Sequence, residues 1–258
     1  MKDLVIGAIG DYQFEQIQNW VHSLNKSGFE GDKILLSYNS NKTLIDKLRD
    51  NDIGVYEITS DGRGNVVDKF ITNSGQVNAA NAHLLVHNVR FFHIWQLLSQ
   101  FKHQDKTYNR IIHTDVRDVI FQSNPSSWLD NNMTKDIVSP SESVLYQDQA
   151  WNRDNFRRSF GDIMFMMLGN DMMVSNVGTF AAKGSVALDL CLHIYLLAVG
   201  QWHADQPAFN VLVNTTYKDK TQWAGTKEHW AAQIGALIEG RAKGDKIIEP
   251  APTMTQDG

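Results

Sequence analysis

The chain has 258 residues, of which 42% are hydrophobic and 21% are charged. This composition is typical of a packed globular protein and excludes a mostly disordered chain. The 24 lysines and arginines and the 29 aspartates and glutamates give a net charge of −5, which argues against a broad nucleic-acid-binding face because such faces carry excess positive charge. Cys191 is the only cysteine in the sequence, which excludes an internal disulfide framework and a cysteine-only zinc site.

The same features bear on the compartment. A single thiol suits a reducing environment. No stretch approaches the 18 apolar residues of a membrane span, and the short apolar run near the N-terminus lacks the cleavage site of a signal peptide. We therefore expect a cytoplasmic protein without a membrane span.

The first half of the chain alternates short apolar runs with amphipathic segments. The predicted strands are residues 4–9, 33–38, 54–58 and 110–114. The predicted helices are residues 14–27, 44–51 and 88–101. Strands that alternate with helices indicate βαβ units and a largely parallel sheet. Residues 61–78 are polar and contain glycines, which predicts a long surface loop or flap.

The second half is less regular. Residues 122–134 are rich in turn formers, with Ser126 as a candidate cap, and residues 140–162 mix acids, amides and aromatics with little periodicity. Residues 163–182 predict a strand, a turn and a second strand. Residues 186–199 and 206–213 predict buried helices. No linker interrupts the sequence, so we expect one domain over residues 1–258.

The sharpest chemical feature follows the fourth predicted strand, where the chain turns with two carboxylates, Asp115 and Asp118. In an open α/β sheet, ligands bind outside the carboxyl ends of the strands. Two carboxylates suit Mg²⁺ or Mn²⁺, which completes its coordination shell with water and substrate phosphates. The residues therefore indicate a metal–diphosphate site. The same pattern also arises from a helix cap and a solvated turn.

These motifs, taken in order, resemble those of the GT-A family of nucleotide-sugar glycosyltransferases. The turn Asp115-Val116-Arg117-Asp118 is similar to a D-x-x-D variant of the family's acidic D-x-D motif. Residues 5–12 resemble the first strand and loop that hold the base. Arg90 lies in a helix resembling the one that supplies a basic residue to the donor site.

Further resemblances lie in the second half, so that together they cover most of the chain. Residues 146–155 resemble the loop that precedes the second half of related sequences. Residues 175–180 are similar to the N-[SAV]-G-[VT] strand near the sugar. The pair Asp205-Gln206, ahead of an apolar helix, resembles the acidic element beside the reacting carbon.

The resemblance implies a GT-A type α/β fold, a single domain in which a Rossmann-like, mostly parallel central sheet is flanked by helices. It implies a nucleotide-binding half at residues 1–122 and an acceptor- and sugar-binding half at residues 123–258. The implied enzyme is a hexosyltransferase that uses Mn²⁺ or Mg²⁺. It transfers a sugar from a UDP-sugar to a hydroxyl group of a small-molecule, glycan or protein acceptor.

The resemblance also implies roles for particular residues. Asp118 is expected to be the more direct metal ligand, and Asp115 is expected to contact the metal, the ribose or both. Asp205 is the expected catalytic residue, acting as a general base or stabilising positive charge on the sugar. The residues expected to bind the nucleotide sugar are Ala8, Ile9, Tyr12, Arg90, Asp115, Val116, Asn176 and Gln206.

Several of these residues have simpler interpretations. Arg90 is expected to add positive charge near the phosphates, but it could also be a surface arginine. Asp205, two residues before Pro207, also suits a helix N-terminus. His83 and His87 lie four residues apart, and we interpret them as structural or surface histidines because no third ligand lies near them in the sequence.

The resemblance is incomplete at the C-terminus. Many members of the family take a third metal ligand, often a histidine, from a segment after the last helix. The chain ends where that segment is expected to begin, so we expect either a naturally short protein or a C-terminal truncation. It leaves three sources for the ligand: His229, His203, or a segment beyond Gly258.

Two other functions stay open. One is a non-catalytic or truncated module that binds nucleotides or carbohydrates. The other is a nucleotidyltransferase that makes nucleoside-diphosphate sugars. The second requires a basic, glycine-rich loop after the first strand, whereas residues 10–15 are acidic.

Overall fold

A seven-stranded sheet with helices on both faces forms the centre of the computed structural model, which describes residues 1–60, 67, 69–72 and 79–234. The strands are β1 (Leu4–Ile9), β2 (Asp32–Tyr38), β3 (Gly54–Ile58), β4 (Arg110–Thr114), β5 (Ile137–Ser139), β6 (Ser141–Leu145), β7 (Met173–Ser175), β8 (Thr179–Lys183) and β9 (Thr221–Trp223). The helices are α1 (Phe14–Lys26), α2 (Lys42–Asp50), α3 (Val86–His103), α4 (Pro125–Asn132), α5 (Ala150–Met164), α6 (Gly184–Ala198) and α7 (Asp205–Asn214).

The strand order in the sheet is β3-β2-β1-β4-β8-β5-β9. Strands β3, β2, β1 and β4 pair in parallel. Strand β8 runs antiparallel to both β4 and β5, so β5 has the same direction as β4, and β9 pairs in parallel with β5. The carboxyl ends of β1, β4 and β5 therefore lie at the same edge of the sheet. Strands β6 and β7 form a separate antiparallel pair.

Alternate residues of the central strands enter two apolar cores, as the period of two in a strand requires. Leu4 and Ile6 pack with α3, α6 and α7 on one face. Val5 and Ile9 pack with α1, α2 and Leu129 of α4 on the other. Because the central strands are covered on both faces, they are continuous apolar runs. This explains why the predicted strands β1, β2 and β4 are confirmed; β3 is confirmed as well, although it lies at the edge of the sheet without a buried residue.

Helix α1 shows how local sequence sets an element's limits. Its buried residues are Ile17, Trp20, Val21 and Leu24, at helical spacing. The helix ends at Lys26, and Gly28 then adopts a φ of 78°, a left-handed conformation that glycine takes without a Cβ penalty.

The sequence-based expectation for residues 122–134 is wrong, because helix α4 forms there. The helix cap is Asn124 and not Ser126, since the Asn124 side chain accepts hydrogen bonds from the backbone N–H groups of Ser126 and Ser127. Pro125 occupies the first helical turn, where its missing N–H removes no helical hydrogen bond.

Helix α5 also went unpredicted, and its composition explains why. Three of its four buried residues are polar, Asn152, Asn155 and Ser159, so the segment lacks the apolar periodicity of a core-facing helix. Gly161 has a φ of 82° and interrupts the helical backbone. In residues 163–182, Phe165–Gly169 forms a π-helical turn that the sequence did not predict. The predicted strand, turn and strand follow it as β7, residues 176–178 and β8.

Most of the predicted flap, residues 61–78, lies outside the described residues. Its described part includes Ile71, which forms an isolated parallel bridge with Leu85 just before α3. Among the described helices, none combines the length and apolar character that crossing a membrane requires.

Candidate functional site

The candidate site lies where β1, β4 and β5 end together, at the same edge of the sheet. The acidic turn after β4 packs closely over β1. A Cβ added to Gly7 of β1 would lie 2.9 Å from the carbonyl oxygen of Thr114, so the close approach of the two strands depends on glycine at this position. The backbone N–H of Asp115 donates to the carbonyl of Gly178 at 2.6 Å, which ties the turn to the start of β8.

Arg90 connects the acidic turn to the start of α7. Its side chain is only 6% exposed, which excludes the surface-arginine interpretation. One Nη donates to a carboxylate oxygen of Asp115, and the other donates to Asp205 at 2.9 Å. Its Nε donates to the carbonyl of His87 at 3.1 Å. Two acids 90 positions apart in sequence thus share one buried guanidinium, and sequence spacing alone does not reveal this arrangement.

The two acids of the turn differ in environment. Burial alone would raise the pKa of the Asp115 carboxyl, but the positive charge of Arg90 lowers it below its usual value. Loss of hydration and the negative charge of Asp115 raise the pKa of the Asp118 carboxyl. Asp118 is exposed, and its carboxylate forms no ion pair within the described part of the chain. The turn therefore presents one carboxylate to Arg90 and one to solvent.

The residues expected to hold the nucleotide lie on the same edge, with different exposure. Tyr12 is half-buried and packs against the core beside α1. Burial raises the pKa of its hydroxyl; the positive charge of Arg117 opposes this shift, and the negative charges of Asp115 and Asp118 add to it. Ala8 is partly exposed at the end of β1, whereas Ile9 and Val116 are buried in the apolar core. Only the backbone groups of Ile9 and Val116 remain for a ligand.

A third carboxylate follows β5. Glu142 is 7% exposed, and three side-chain amides point towards it: Asn152 at 3.3 Å, Asn176 at 3.1 Å and Gln206 at 3.5 Å. Burial raises the pKa of Glu142, and the three amides oppose that shift. The next residue, Ser143, has a φ of 62°, which is uncommon for a residue other than glycine.

Sequence reasoning missed Glu142 and Asn152. The signal in the sequence was weak, because Glu142 lies three residues after the short strand β5, whereas Asp115 directly follows β4. Asn176 and Gln206, which the sequence did identify, both bind Glu142. The structure therefore brings the predicted sugar-side residues together around an acid that the sequence analysis did not name.

Two histidines lie beside Asp205. The rings of His87 and His203 are 4.5 Å apart between centroids. Loss of hydration, with a further contribution from His87, lowers the pKa of His203 to about 4. The carbonyl of His203 accepts a hydrogen bond from Asn155 at 2.9 Å, and its φ is 47°. His87 lies in the first turn of α3 with its ring against that of His203, which is consistent with its interpretation as a structural histidine.

A cavity of about 510 Å³ lies between the turn after β4 and residues 226–234. Asp118 and His229 both line it, together with the rings of Trp128 and Trp230, which are tilted by 48° with centroids 4.9 Å apart. His203 is not among its lining residues. Of the two named candidates for a third metal ligand, His229 is the one that shares a cavity with Asp118.

The carboxylates of the acidic turn suit a divalent cation that binds together with a substrate. No cluster of three or more histidine, cysteine, aspartate or glutamate side chains able to hold a metal occurs among the described residues. Asp115 and Asp118 supply two carboxylates on one turn, and Mg²⁺ is commonly held by one or two carboxylates together with substrate phosphates. The residues fit a metal that binds with its diphosphate substrate better than one held by protein ligands alone.

Comparison with known proteins identifies the fold. No protein-family model and no curated protein matches the chain. A structure of the bifunctional glycosyltransferase WbbM without ligand superposes with a TM-score of 0.53 at 10% identity, covering 86% of this chain and 38% of WbbM. The galactosyltransferase LgtC, solved with donor and acceptor sugar analogues, gives a TM-score of 0.52 at 12% identity, covering 87% of this chain and 74% of LgtC. An active-site mutant of LgtC gives a TM-score of 0.53 at 10% identity, covering 98% of this chain and 80% of the LgtC chain.

These likenesses confirm the predicted fold class, a GT-A type α/β fold with a mostly parallel central sheet. The chain spans little more than a third of the length of WbbM. At 10–12% identity the likeness concerns the fold, and one fold hosts many functions. The function must therefore be argued from the site.

Proposed function

We propose that the protein is a metal-dependent glycosyltransferase that transfers a sugar from a nucleoside-diphosphate sugar to an acceptor hydroxyl. The observation that carries this proposal is the buried Arg90, which joins the acidic turn after β4 to Asp205 at the start of α7. A metal–diphosphate site and a carboxylate for the sugar would thereby lie side by side on a GT-A type fold. The assignment of the donor as a UDP-sugar rests on the family resemblance of the motifs.

In this proposal residues 1–122 bind the nucleotide. Tyr12 offers a half-buried ring for the base, and Ala8 with the backbone of Ile9 and Val116 lines the end of the sheet. Asp115 and Asp118 would hold Mn²⁺ or Mg²⁺, which, when bound, neutralises the charge that develops on the leaving nucleoside diphosphate. The cavity shared with Asp118 favours His229 over His203 as an additional ligand.

Residues 123–258 bind the sugar and the acceptor. Asn176 and Gln206 supply amides near the sugar, and Asp205 is the proposed catalytic residue, a general base or a group that stabilises positive charge on the sugar. Asp205 is buried and its carboxylate is held by Arg90, which fixes the direction in which it can meet a substrate. A carboxylate so placed suits stabilisation of positive charge on the sugar ring or activation of an acceptor hydroxyl. The acceptor would be a small molecule, a glycan or a protein, and the place of action the cytoplasm.

One observation favours a second function, a module that binds a nucleotide or a carbohydrate without catalysis. The described residues contain no protein-only cluster of three metal ligands. Release of free UDP from UDP-sugars in the presence of Mn²⁺ distinguishes the two functions, because a binding module produces none.

The test of the donor site is the substitution Asp118→Ala. Asp118 is exposed, so we expect the thermal midpoint to change little while Mn²⁺-dependent binding of UDP, measured by titration calorimetry, falls at least about tenfold. The matched control is Asp46→Ala, which removes an exposed aspartate from α2 and should leave UDP binding unchanged. If Asp118→Ala binds UDP with Mn²⁺ as tightly as the parent protein, the metal assignment is wrong.

A further inference from the structure

Glu142 is a buried acid to which the proposed roles assign no part. It follows β5, whose carboxyl end lies at the same edge of the sheet as that of β4. No lysine or arginine forms an ion pair with it within the described part of the chain. Its partners are instead the amide groups of Asn152, Asn176 and Gln206. Two of these three residues belong to the proposed sugar site.

The chemistry of these partners fixes how each amide is turned. A side-chain amide has a donating NH₂ group and an accepting oxygen, whereas an ionised carboxylate only accepts. Glu142 therefore draws the NH₂ groups of all three amides towards itself. An apolar side chain, or one that also donates, would not impose this single orientation.

Two of the three amide oxygens are then occupied inside the protein. The oxygen of Asn176 accepts from the backbone N–H of Gly178 at 2.7 Å. The oxygen of Asn152 accepts from Nε2 of Gln206 at 2.7 Å. No donor among the described residues forms a hydrogen bond with Oε1 of Gln206. That oxygen belongs to the residue that follows Asp205, the proposed catalytic residue.

We infer that Glu142 is a positioning residue. It acts through Asn152 and Gln206 to leave the side-chain oxygen of Gln206, Oε1, free for the substrate. Its partner there would be a sugar hydroxyl or the positive charge that develops on the sugar ring. The expected effect on kinetics rests on the proposed function, whereas the hydrogen-bond geometry around Glu142 does not depend on it. The left-handed backbone of Ser143 supports it, since strained residues of this kind cluster at functional sites.

The kinetic test is a double-mutant cycle between Glu142→Gln and Gln206→Ala. Glu142→Gln keeps the shape of the side chain and removes a buried charge, so the protein should fold, but at least one of the three amides must turn. We expect kcat for sugar transfer to fall about tenfold or more, with KM for the UDP-sugar changed less than about threefold. In the Gln206→Ala background the same substitution should cost less than about twofold, because residues that act as a unit are not additive.

The matched control is Glu15→Gln, the same chemical change at an exposed site on α1, which should leave kcat unchanged. An equal loss from Glu142→Gln in both backgrounds would overturn the inference, because Glu142 would then act independently of Gln206.

A second measurement does not depend on activity. The side-chain NH₂ signals of Gln206 are assigned by nuclear magnetic resonance through their loss in Gln206→Ala. We expect slow hydrogen exchange of these protons in the parent protein, and shifted, faster-exchanging signals in Glu142→Gln. Unchanged signals would contradict the positioning role. If the parent protein transfers no sugar from any UDP-sugar with Mn²⁺, the proposed function fails, while the amide signals still decide the role of Glu142.

Discussion

At the scale of single residues, the charge of the site is balanced at Arg90. This guanidinium is almost completely buried, and it binds one carboxylate that is partly exposed and one that is buried, Asp115 and Asp205. A buried charge is costly unless it is paired and hydrogen-bonded. Loss of any one of these three side chains would leave a charge without its partner. The stability of the fold and the geometry of the site therefore depend on the same ion pairs.

We predict that Arg90→Met lowers the free energy of unfolding by about 3–5 kcal/mol, the usual effect of removing one partner of a buried ion pair. Urea denaturation at pH 7 measures this. The matched control is Arg49→Met, which breaks an ion pair with Glu57 in which both side chains are more than half exposed and should cost at most about 1 kcal/mol. Equal effects of the two substitutions would show that the Arg90 pair is not a structural element of the site.

A second residue-scale prediction concerns pH. His113 lies in β4 between the rings of Phe91 and Phe180, and burial lowers its pKa from 6.5 to about 3. Between these values the unfolded chain binds a proton that the folded protein does not, so the free energy of unfolding falls as the pH falls. The slope from this one group is about 1.4 kcal/mol per pH unit.

Urea denaturation at pH 7, 6, 5 and 4 tests this prediction, with His113→Leu as the comparison. The variant should lose less stability on acidification than the parent protein, whatever its stability at pH 7. If the free energy of unfolding fell equally with pH in the two proteins, His113 would not be the buried group whose protonation destabilises the fold.

At the scale of elements, the sequence predicts those parts of the fold that bury continuous apolar runs. Strands β1 to β4 and helices α1, α2, α3, α6 and α7 are confirmed. In α1 and α2 the buried residues follow the period of a helix, whereas β3 is an edge strand without a buried residue. Helix α4 was missed because the segment is rich in turn formers, and its cap, Asn124, lies two residues before the predicted one. Helix α5 was missed because its buried face is largely polar.

The same physical difference limits what the sequence reveals of the site. Asp115 and Asp118 stand out because five consecutive buried residues precede them in β4. Glu142 follows a strand of only three residues, too short for its direction to be inferred. Its place at the edge depends on pairing with β8, a contact between residues far apart in sequence. The Arg90 bridge depends on such contacts at both ends.

The turn between β7 and β8 yields an element-scale prediction. A Cβ added to Gly178 would collide with the carboxylate of Asp115 and approach Oδ1 of Asn176 to 2.8 Å. Gly178→Ala should therefore lower the free energy of unfolding by about 1–3 kcal/mol, a typical cost of overpacking. It should weaken Mn²⁺-dependent binding of UDP by displacing Asp115.

The control is Gly54→Ala in edge strand β3, where the nearest atom to an added Cβ is 3.2 Å away and UDP binding should not change. Unaltered UDP binding by Gly178→Ala would mean that the position of Asp115 does not matter for the nucleotide.

At the scale of the whole molecule, one topological feature assembles the site. Strand β8 runs antiparallel between β4 and β5, which gives β4 and β5 the same direction and places Asp115 and Glu142 at one edge. The two apolar cores hold the sheet from both faces, so the polar groups collect where the strands end. Proteins with 10–12% identity share this fold, and the carboxylates at the edge are what argue for glycosyl transfer.

The most direct test of the account is thermal unfolding of the protein with UDP, with GDP and without nucleotide, each with and without Mn²⁺. A ligand that binds only the folded state, at about 100 times its Kd, adds about 2.7 kcal/mol, which for a chain of this size raises the Tm by roughly 5–10 °C. We predict that UDP raises the Tm only when Mn²⁺ is present, and that Asp118→Ala abolishes the rise. A Tm unaffected by UDP with Mn²⁺, or raised equally by UDP without Mn²⁺, would contradict a metal–diphosphate site at the acidic turn.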